Sequence, residues 1–172
     1  MDCGAFRRMT IDVRRTTKDE VKIFMRVLVQ RVKSAGVSVN LKGVSEIDKG
    51  ILLLVGIGKD DNSDDIEYMS RKISNLRIFE DEKGKMNFDI KQADGAVLSI
   101  SQFTLYADTR KGNRPGFDQS ADPDKAKVLW EKFNKALKSN GLEVKEGIFG
   151  AHMEVGLIND GPVTILIDSR NR

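Results

Sequence analysis

Apolar and polar positions alternate with a period of two from Met25 to Val32. Val27, Val29 and Arg31 fall on one face, and Leu28, Gln30 and Val32 on the other. That alternation predicts a β-strand with one buried face. Gly36 to Asn40, where Val37 and Val39 alternate with Ser38, continues it after a bend, and Lys42-Gly43 and Asp48-Lys49-Gly50 read as turns. Ile51 to Ile57 is a continuous apolar run between glycines, too short for a typical helix, and predicts a central strand. Asp61-Asn62-Ser63-Asp64 is a helix-start cluster. Behind it Ile66, Met69, Ile73 and Leu76 recur at spacings of three and four, one core-facing helix stripe ending near Arg77. Glu80 to Lys85, with Lys83-Gly84, reads as a hairpin tip whose returning strand carries Phe88 and Ile90. Gly95 then opens an apolar strand from Ala96 to Phe103.

Residues 106–121 are a long polar loop, and loops of that length inside a compact domain are usually functional. Asp122-Pro123 starts a second helix with proline at its first position. Its apolar face is Ala126, Leu129, Trp130, Phe133 and Leu137, and Asn140-Gly141 ends it. Two strands follow, His152 to Ile158 and Val163 to Asp168, with a turn at Asn159-Asp160-Gly161-Pro162. Two helices and six or more short strands predict an α+β domain, mostly antiparallel.

The 172 residues fit one domain, and 40% hydrophobic against 32% charged residues can bury a core. Lys plus Arg exceeds Asp plus Glu by 29 to 26, and the first 24 residues, with six basic and four acidic side chains, hold +2 of that net +3. This extension lacks the apolar run of a secretory leader and is too acidic for a mitochondrial one. It reads either as a solvated tail or as a basic arm meeting RNA phosphates. Met25, where the regular pattern begins, would make sense as a second start. No apolar run of about 18 residues exists, so no membrane helix is expected, and cytoplasmic residence is the default reading. A single Cys3 and a single His152 exclude a disulfide framework, a multi-cysteine zinc site and any site needing two imidazoles. No metal or cofactor is called for.

The usual catalytic arrangements are missing. His152 lies on a predicted strand and reads as structural or surface, no Gly-x-Ser-x-Gly elbow occurs, and Gly56-Ile57-Gly58-Lys59 lacks phosphate-loop spacing. Two segments stand out instead. Ser101-Gln102-Phe103-Thr104-Leu105 sets three hydrogen-bonding side chains at a strand end feeding a loop, where backbone N–H groups become free for an oxyanion. Asn159-Asp160-Gly161-Pro162-Val163-Thr164 holds an X-Pro step, the common place for a cis peptide bond, although a trans turn is the commoner outcome.

These residues resemble the D-aminoacyl-tRNA deacylase family. The resemblance runs from Met25-Arg26-Val27 through Gln30-Arg31-Val32, Gly56, Ser101 to Leu105, Arg110 to Phe117, Phe149-Gly150-Ala151, Asn159 to Thr164 and Asp168. It implies a barrel-like core of mostly antiparallel sheets with two main helices, and a homodimer with active sites at the interface. It also implies a cis Gly161-Pro162 reaching into the neighbouring subunit's site, where its carbonyls meet the substrate's ammonium. The reaction implied is hydrolysis of the ester joining a D-amino acid to tRNA, with glycyl-tRNA also accepted and L-aminoacyl-tRNA rejected by clash. The Phe103 and Thr104 N–H groups would form the oxyanion hole, and Ser101 and Gln102 would orient the terminal adenosine. The nucleophile is either Thr104, for which no base is evident, or water assisted by the tRNA 2′-hydroxyl, and the second is favoured. Arg110, Lys111 and Arg114 would meet RNA phosphates, or else simply be solvated. The loop departs from the family's Gly-Arg-Arg-Pro-Ser-Phe at Asn113 and Gly116, losing one basic group and one hydroxyl.

Two other readings compete. A non-catalytic nucleic-acid-binding protein on the same scaffold would keep the fold without needing Gly161-Pro162. A structural interaction module would leave the Ser101-to-Thr104 motif unexplained.

Overall fold

The computed structural model describes residues 24–170, so the extension read at residues 1–24 lies outside the described residues except for Phe24. In chain order the elements are β1 (Arg26–Val39), β2 (Lys42–Ile47), β3 (Gly50–Gly56), α1 (Ser63–Ser74), β4 (Phe79–Glu80) and β5 (Met86–Phe88). Then come β6 (Ala96–Ser101), a 3-10 helix (Phe103–Tyr106), α2 (Pro123–Ser139), β7 (Val144–Glu146) and β8 (Glu154–Asp168). The main sheet has the order β2-β1-β3-β6-β7, with β8 on the other edge of β1. β3–β6 and β6–β7 are parallel, and the pairings of β1 with β2, β3 and β8 are antiparallel. Ser45 of β2 donates to the Glu146 carbonyl of β7 at 2.7 Å, which draws the outer strands together and curls the sheet toward a barrel. The α+β class with two helices is as the sequence predicts.

The two faces of the sheet bury separate cores. Val27 and Val29 of β1, Leu53 and Val55 of β3 and Val97 of β6 pack against Met69 and Ile73 of α1 and Phe133 and Leu137 of α2. Val32, Ala35, Val37, Leu52, Leu98 and Ile100 fill the inside of the curl. The change of parity within β1, from Val29 on one core to Ala35 and Val37 on the other, has a local cause. Val32 pairs with Asn159 and Ser34 with the adjacent Ile158, so Lys33 is an extra residue, a β-bulge that turns the strand over. Hence β1 runs unbroken to Val39.

Several expectations change, among them the strand starting at His152, which begins only at Glu154, and the returning strand, which ends at Phe88 before Ile90. Lys42-Gly43 is not a turn but the start of β2. The reversal is made by Asn40 and Leu41, both at positive φ (50° and 63°), the two-residue hairpin geometry. α1 stops at Ser74 with Asn75 as its cap, short of Arg77. β6 ends at Ser101, because the Gln102 N–H turns back to the Val55 carbonyl at 2.7 Å and Phe103 opens the 3-10 helix. Asn159 to Pro162 does not reverse the chain, since both halves of β8 pair with β1 in one direction. Among the described residues no helix is long and apolar enough to cross a membrane.

Candidate active site

The Ser101–Tyr106 corner is built by backbone packing. Tyr106 is 1% exposed, and its hydroxyl donates to the Gly56 carbonyl at 3.0 Å and the Phe24 carbonyl at 2.8 Å. Gly56 leaves room for this. A Cβ there would stand 2.9 Å from the Tyr106 ring and 3.2 Å from the Gln102 carbonyl. Arg26 clamps the corner from the other side. It donates to the Leu105 carbonyl at 3.1 Å, pairs with Asp168 at 3.3 Å and lies 5.2 Å over the Tyr106 ring. Burial pushes the Tyr106 phenol far above its usual pKa, reinforced by the Asp61 charge, so it stays protonated and able to donate.

This corner leaves the first-turn N–H groups of Phe103 and Thr104 without hydrogen-bond acceptors among the described residues. Two adjacent N–H groups of this kind suit a developing oxyanion. Thr104 Oγ1 accepts a hydrogen bond from Gln102 Nε2. No basic or acidic side chain among the described residues bonds to it, so the structure offers no base to activate that hydroxyl.

Beside the corner opens a cleft of 670 Å³ walled by Ser101, Gln102, Phe103, Phe117, Phe149 and His152. Phe103, 56% exposed, meets Phe117 edge-on with centroids 5.0 Å apart. Trp130 backs the cleft as the core residue the sequence predicts, 4% exposed, with its indole N–H on Ser99 Oγ at 3.0 Å. His152 is exposed on the rim. The expected long loop is pinned rather than loose. Asp108 and Gly116 bridge as a short antiparallel pair, and the Ala121 N–H reaches the Ile57 carbonyl at 2.9 Å. At its tip Lys111 and Arg114 are exposed, whereas Arg110 makes two hydrogen bonds to Asp108, at 2.9 and 2.7 Å. That side-chain pairing holds the Asp108 carboxyl well below its usual range.

The second motif is an outward bulge of β8. Gln30 pairs with Thr164 and Val32 with Asn159, so residues 160–163 stand opposite Arg31 alone. Gly161-Pro162 is cis and exposed at the top of this bulge. Arg31 fills the space beneath, 4% exposed, donating to the Asp160 carbonyl at 3.0 Å and the Ile78 carbonyl at 2.6 Å. It also faces the carboxylates of Asp160 at 3.3 Å and Glu80 at 3.6 Å. Asn159 closes the bulge by accepting the Val163 N–H at 2.8 Å. Gly161, at φ +136°, is the one residue that fits, because a Cβ would lie 2.7 Å from Val163 Cγ2 and 2.9 Å from its nitrogen.

The structure does not bring the two motifs together within one chain. The corner hangs from Val55, which pairs with Val27, and the bulge stands opposite Arg31, on the other edge of β1. That is about 13 Å along the strand at the usual rise per residue. Neither Gly161 nor Pro162 lines the cleft. Between the motifs lies a sheet face where Leu28, Leu54 and Leu166 sit side by side, Leu166 being 58% exposed. Sequence reasoning named neither Arg31, Tyr106 nor Asn159 as site residues. A charge on the core face of β1 was the available signal for Arg31.

A family model described as D-Tyr-tRNA(Tyr) deacylase matches residues 28–168. A D-aminoacyl-tRNA deacylase of Staphylococcus haemolyticus is 60% identical over 147 residues, covering 86% of this chain and 97% of the relative. One from Thermosipho africanus is 56% identical over 146 residues, covering 85% and 98%. Among solved structures, one titled c-Myc DNA Unwinding Element Binding Protein is 40% identical with a TM-score of 0.77, covering 83% of this chain and 97% of that one. A probable eukaryotic D-amino acid tRNA deacylase shares the fold at 17% identity with a TM-score of 0.72, covering 84% and 98%. With a family match across most of its length and relatives above half identity covered almost end to end, this chain belongs to the D-Tyr-tRNA(Tyr) deacylase family.

Proposed function

We propose that the chain is an editing hydrolase that cleaves the ester bond of D-aminoacyl-tRNA, releasing free D-amino acid and tRNA. The observation that carries this reading is the pair of unengaged N–H groups, Phe103 and Thr104, beside a cleft of 670 Å³, which Phe103 helps to line. Water attacks the ester carbonyl, and its oxygen's developing charge falls on those two donors. The ribose oxygen leaves with a proton, the neighbouring 2′-hydroxyl assisting. An aminoacyl ester is already activated, so positioning supplies much of the acceleration. Thr104, without a base, is not the nucleophile. Ser101 and Gln102 orient the terminal adenosine, and Lys111 and Arg114 meet RNA phosphates.

Chirality is read by a second copy of the chain. Because the bulge and the corner lie apart in one protomer, a homodimer packed on the Leu28–Leu54–Leu166 face brings Gly161 and Pro162 of one copy toward the corner of the other. Their carbonyls receive the substrate ammonium and leave no room for an L side chain. Glycyl-tRNA, having no side chain, passes the same test. Residues 25–172 carry this activity in the cytoplasm, with 1–24 as an extension to it.

The test is release of labelled amino acid from D-tyrosyl-tRNA and L-tyrosyl-tRNA. Rapid release from the D form alone supports the reading, and release from neither sinks it. The name of the 40%-identical structure favours one other reading, a non-catalytic nucleic-acid-binding protein. Tight binding of nucleic acid without ester cleavage would select it.

A further inference from the structure

Asp61, just ahead of α1, is 2% exposed. Its Oδ2 accepts the Gly58 N–H at 2.7 Å, but its Oδ1 has no hydrogen-bond partner among the described residues. Burial pushes this carboxyl up to about 7, and the charge of Asp65 adds to the shift, against the Gly58 and Met25 amides and Lys125. The groups around it are otherwise committed. Asp65 accepts the Ser169 hydroxyl at 2.9 Å and the Asn62 N–H at 3.1 Å. The Tyr106 proton goes to the Phe24 and Gly56 carbonyls, and the Lys125 ammonium goes to the Lys59 carbonyl. A buried carboxylate in this state has one oxygen without a donor, and the ammonium it feels, that of Lys125, is bonded elsewhere.

Among the groups acting on this carboxyl is the backbone N–H of Met25, the residue just ahead of β1. As an amide, that nitrogen offers one proton and no charge. As a chain terminus it would offer three protons and a full charge. Met25 is fully buried and its carbonyl accepts the Ser169 N–H at 2.9 Å, so the described fold holds this residue in place. We propose that Asp61 is the receptor for a free α-amino group on Met25, and that the working form of the protein begins there. Two routes give the same terminus. One is translation starting at Met25. The other is hydrolysis of the Phe24–Met25 bond, in which one water adds and leaves a carboxylate on Phe24 and an ammonium on Met25. Two relatives are matched over 97% and 98% of their own length by 147 and 146 residues of this chain, about the length that remains from Met25 onward.

The test compares the full chain with one beginning at Met25, each with and without Asp61→Asn. The Met25 chain is expected to unfold about 5 °C higher near pH 7. Asp61→Asn should erase that gap and speed acylation of the Met25 amine. Equal midpoints, a gap that survives Asp61→Asn, or a Met25 chain that does not fold would each overturn the proposal. Intact mass of the protein from its own cells is the second arm. A main species lacking residues 1–24 supports the proposal, and the full-length species alone overturns it. A recovered 1–24 peptide identifies hydrolysis as the route.

Discussion

The corner at Ser101–Tyr106 is fixed by one main-chain bond together with the side chains of Tyr106 and Arg26. The Gln102 N–H reaches Val55, and the buried Tyr106 hydroxyl reaches Gly56. The bulge at Asn159–Val163 is fixed by two side chains, Arg31 below and Asn159 within. The first arrangement frees N–H donors at the start of a 3-10 turn that a main-chain bond and two side chains hold in one chain. The second thrusts a short segment away from its own sheet, where only a neighbour can use it. A donor site can be complete in one chain, and a steric gate built on an outward bulge needs another. The difference predicts that side-chain changes hurt the bulge far more than the corner.

Arg31 offers the strongest way to break that contrast. Arg31→Ala leaves the Ile78 and Asp160 carbonyls without their donor in a buried site, at a cost on the order of 3–5 kcal/mol. Thermal unfolding should show a fall of about 10 °C. Arg31→Met, which keeps most of the volume, separates shape from stability. It should reduce discrimination between D- and L-aminoacyl-tRNA more than it reduces hydrolysis of the D form. Intact discrimination in a folded Arg31→Met protein would mean the bulge holds its shape unaided.

Asp61, whose charge acts on Tyr106, brings pH into the comparison. Its carboxyl is raised, so the folded chain holds this proton more tightly than the unfolded chain does. Below about pH 4 both states are protonated and nothing is lost. The penalty grows as pH rises above the unfolded value of 3.8 and is fully present above about 7, amounting to a few kcal/mol. The full chain should lose stability across that window, and Asp61→Asn should flatten the loss. Parallel stability curves for the two proteins would show that Asp61 is not desolvated in solution.

Much of this was readable beforehand, and the failures share a cause. Both helices, the hairpin of β4 and β5 and the apolar strands declare themselves by period and by Gly, Pro or Asn at their ends. β2 escaped because its hairpin turns on Asn40 and Leu41, and leucine at positive φ carries no sequence signal. β7, three residues long, is too short to show a period. The two motifs could be named from their residues, but the parts that hold them could not. Arg31 lies 129 positions from Asp160, and Tyr106 lies 50 from Gly56. Such pairings follow from which strands meet, which local patterning does not encode.

Tyr106→Phe sharpens the comparison from the corner's side. It keeps the ring and removes the bonds to the Gly56 and Phe24 carbonyls, at about 1 kcal/mol. Since main-chain packing also holds the corner, kcat for the D substrate should fall only a few-fold. A loss as large as that of Arg31→Ala would make the corner as dependent on one side chain as the bulge is.

The smallest effects belong to the loop between the motifs, where the contrast recurs among three cations. Arg110 is spent on Asp108, while Lys111 and Arg114 project without an ion pair among the described residues. A cation that meets a phosphate releases counterions, contributing about 0.7–0.9 to the slope of log affinity against log salt. Lys111→Ala and Arg114→Ala should each lower that slope by about one such contact, leaving D over L discrimination unchanged. Arg110→Ala should lower it less, because removing the guanidinium also exposes the Asp108 carboxylate to the RNA and weakens binding at every salt concentration. The three slopes, measured on uncharged tRNA so that hydrolysis plays no part, therefore report which charges the fold has already used. A slope change largest for Arg110→Ala would mean that RNA takes that side chain from Asp108.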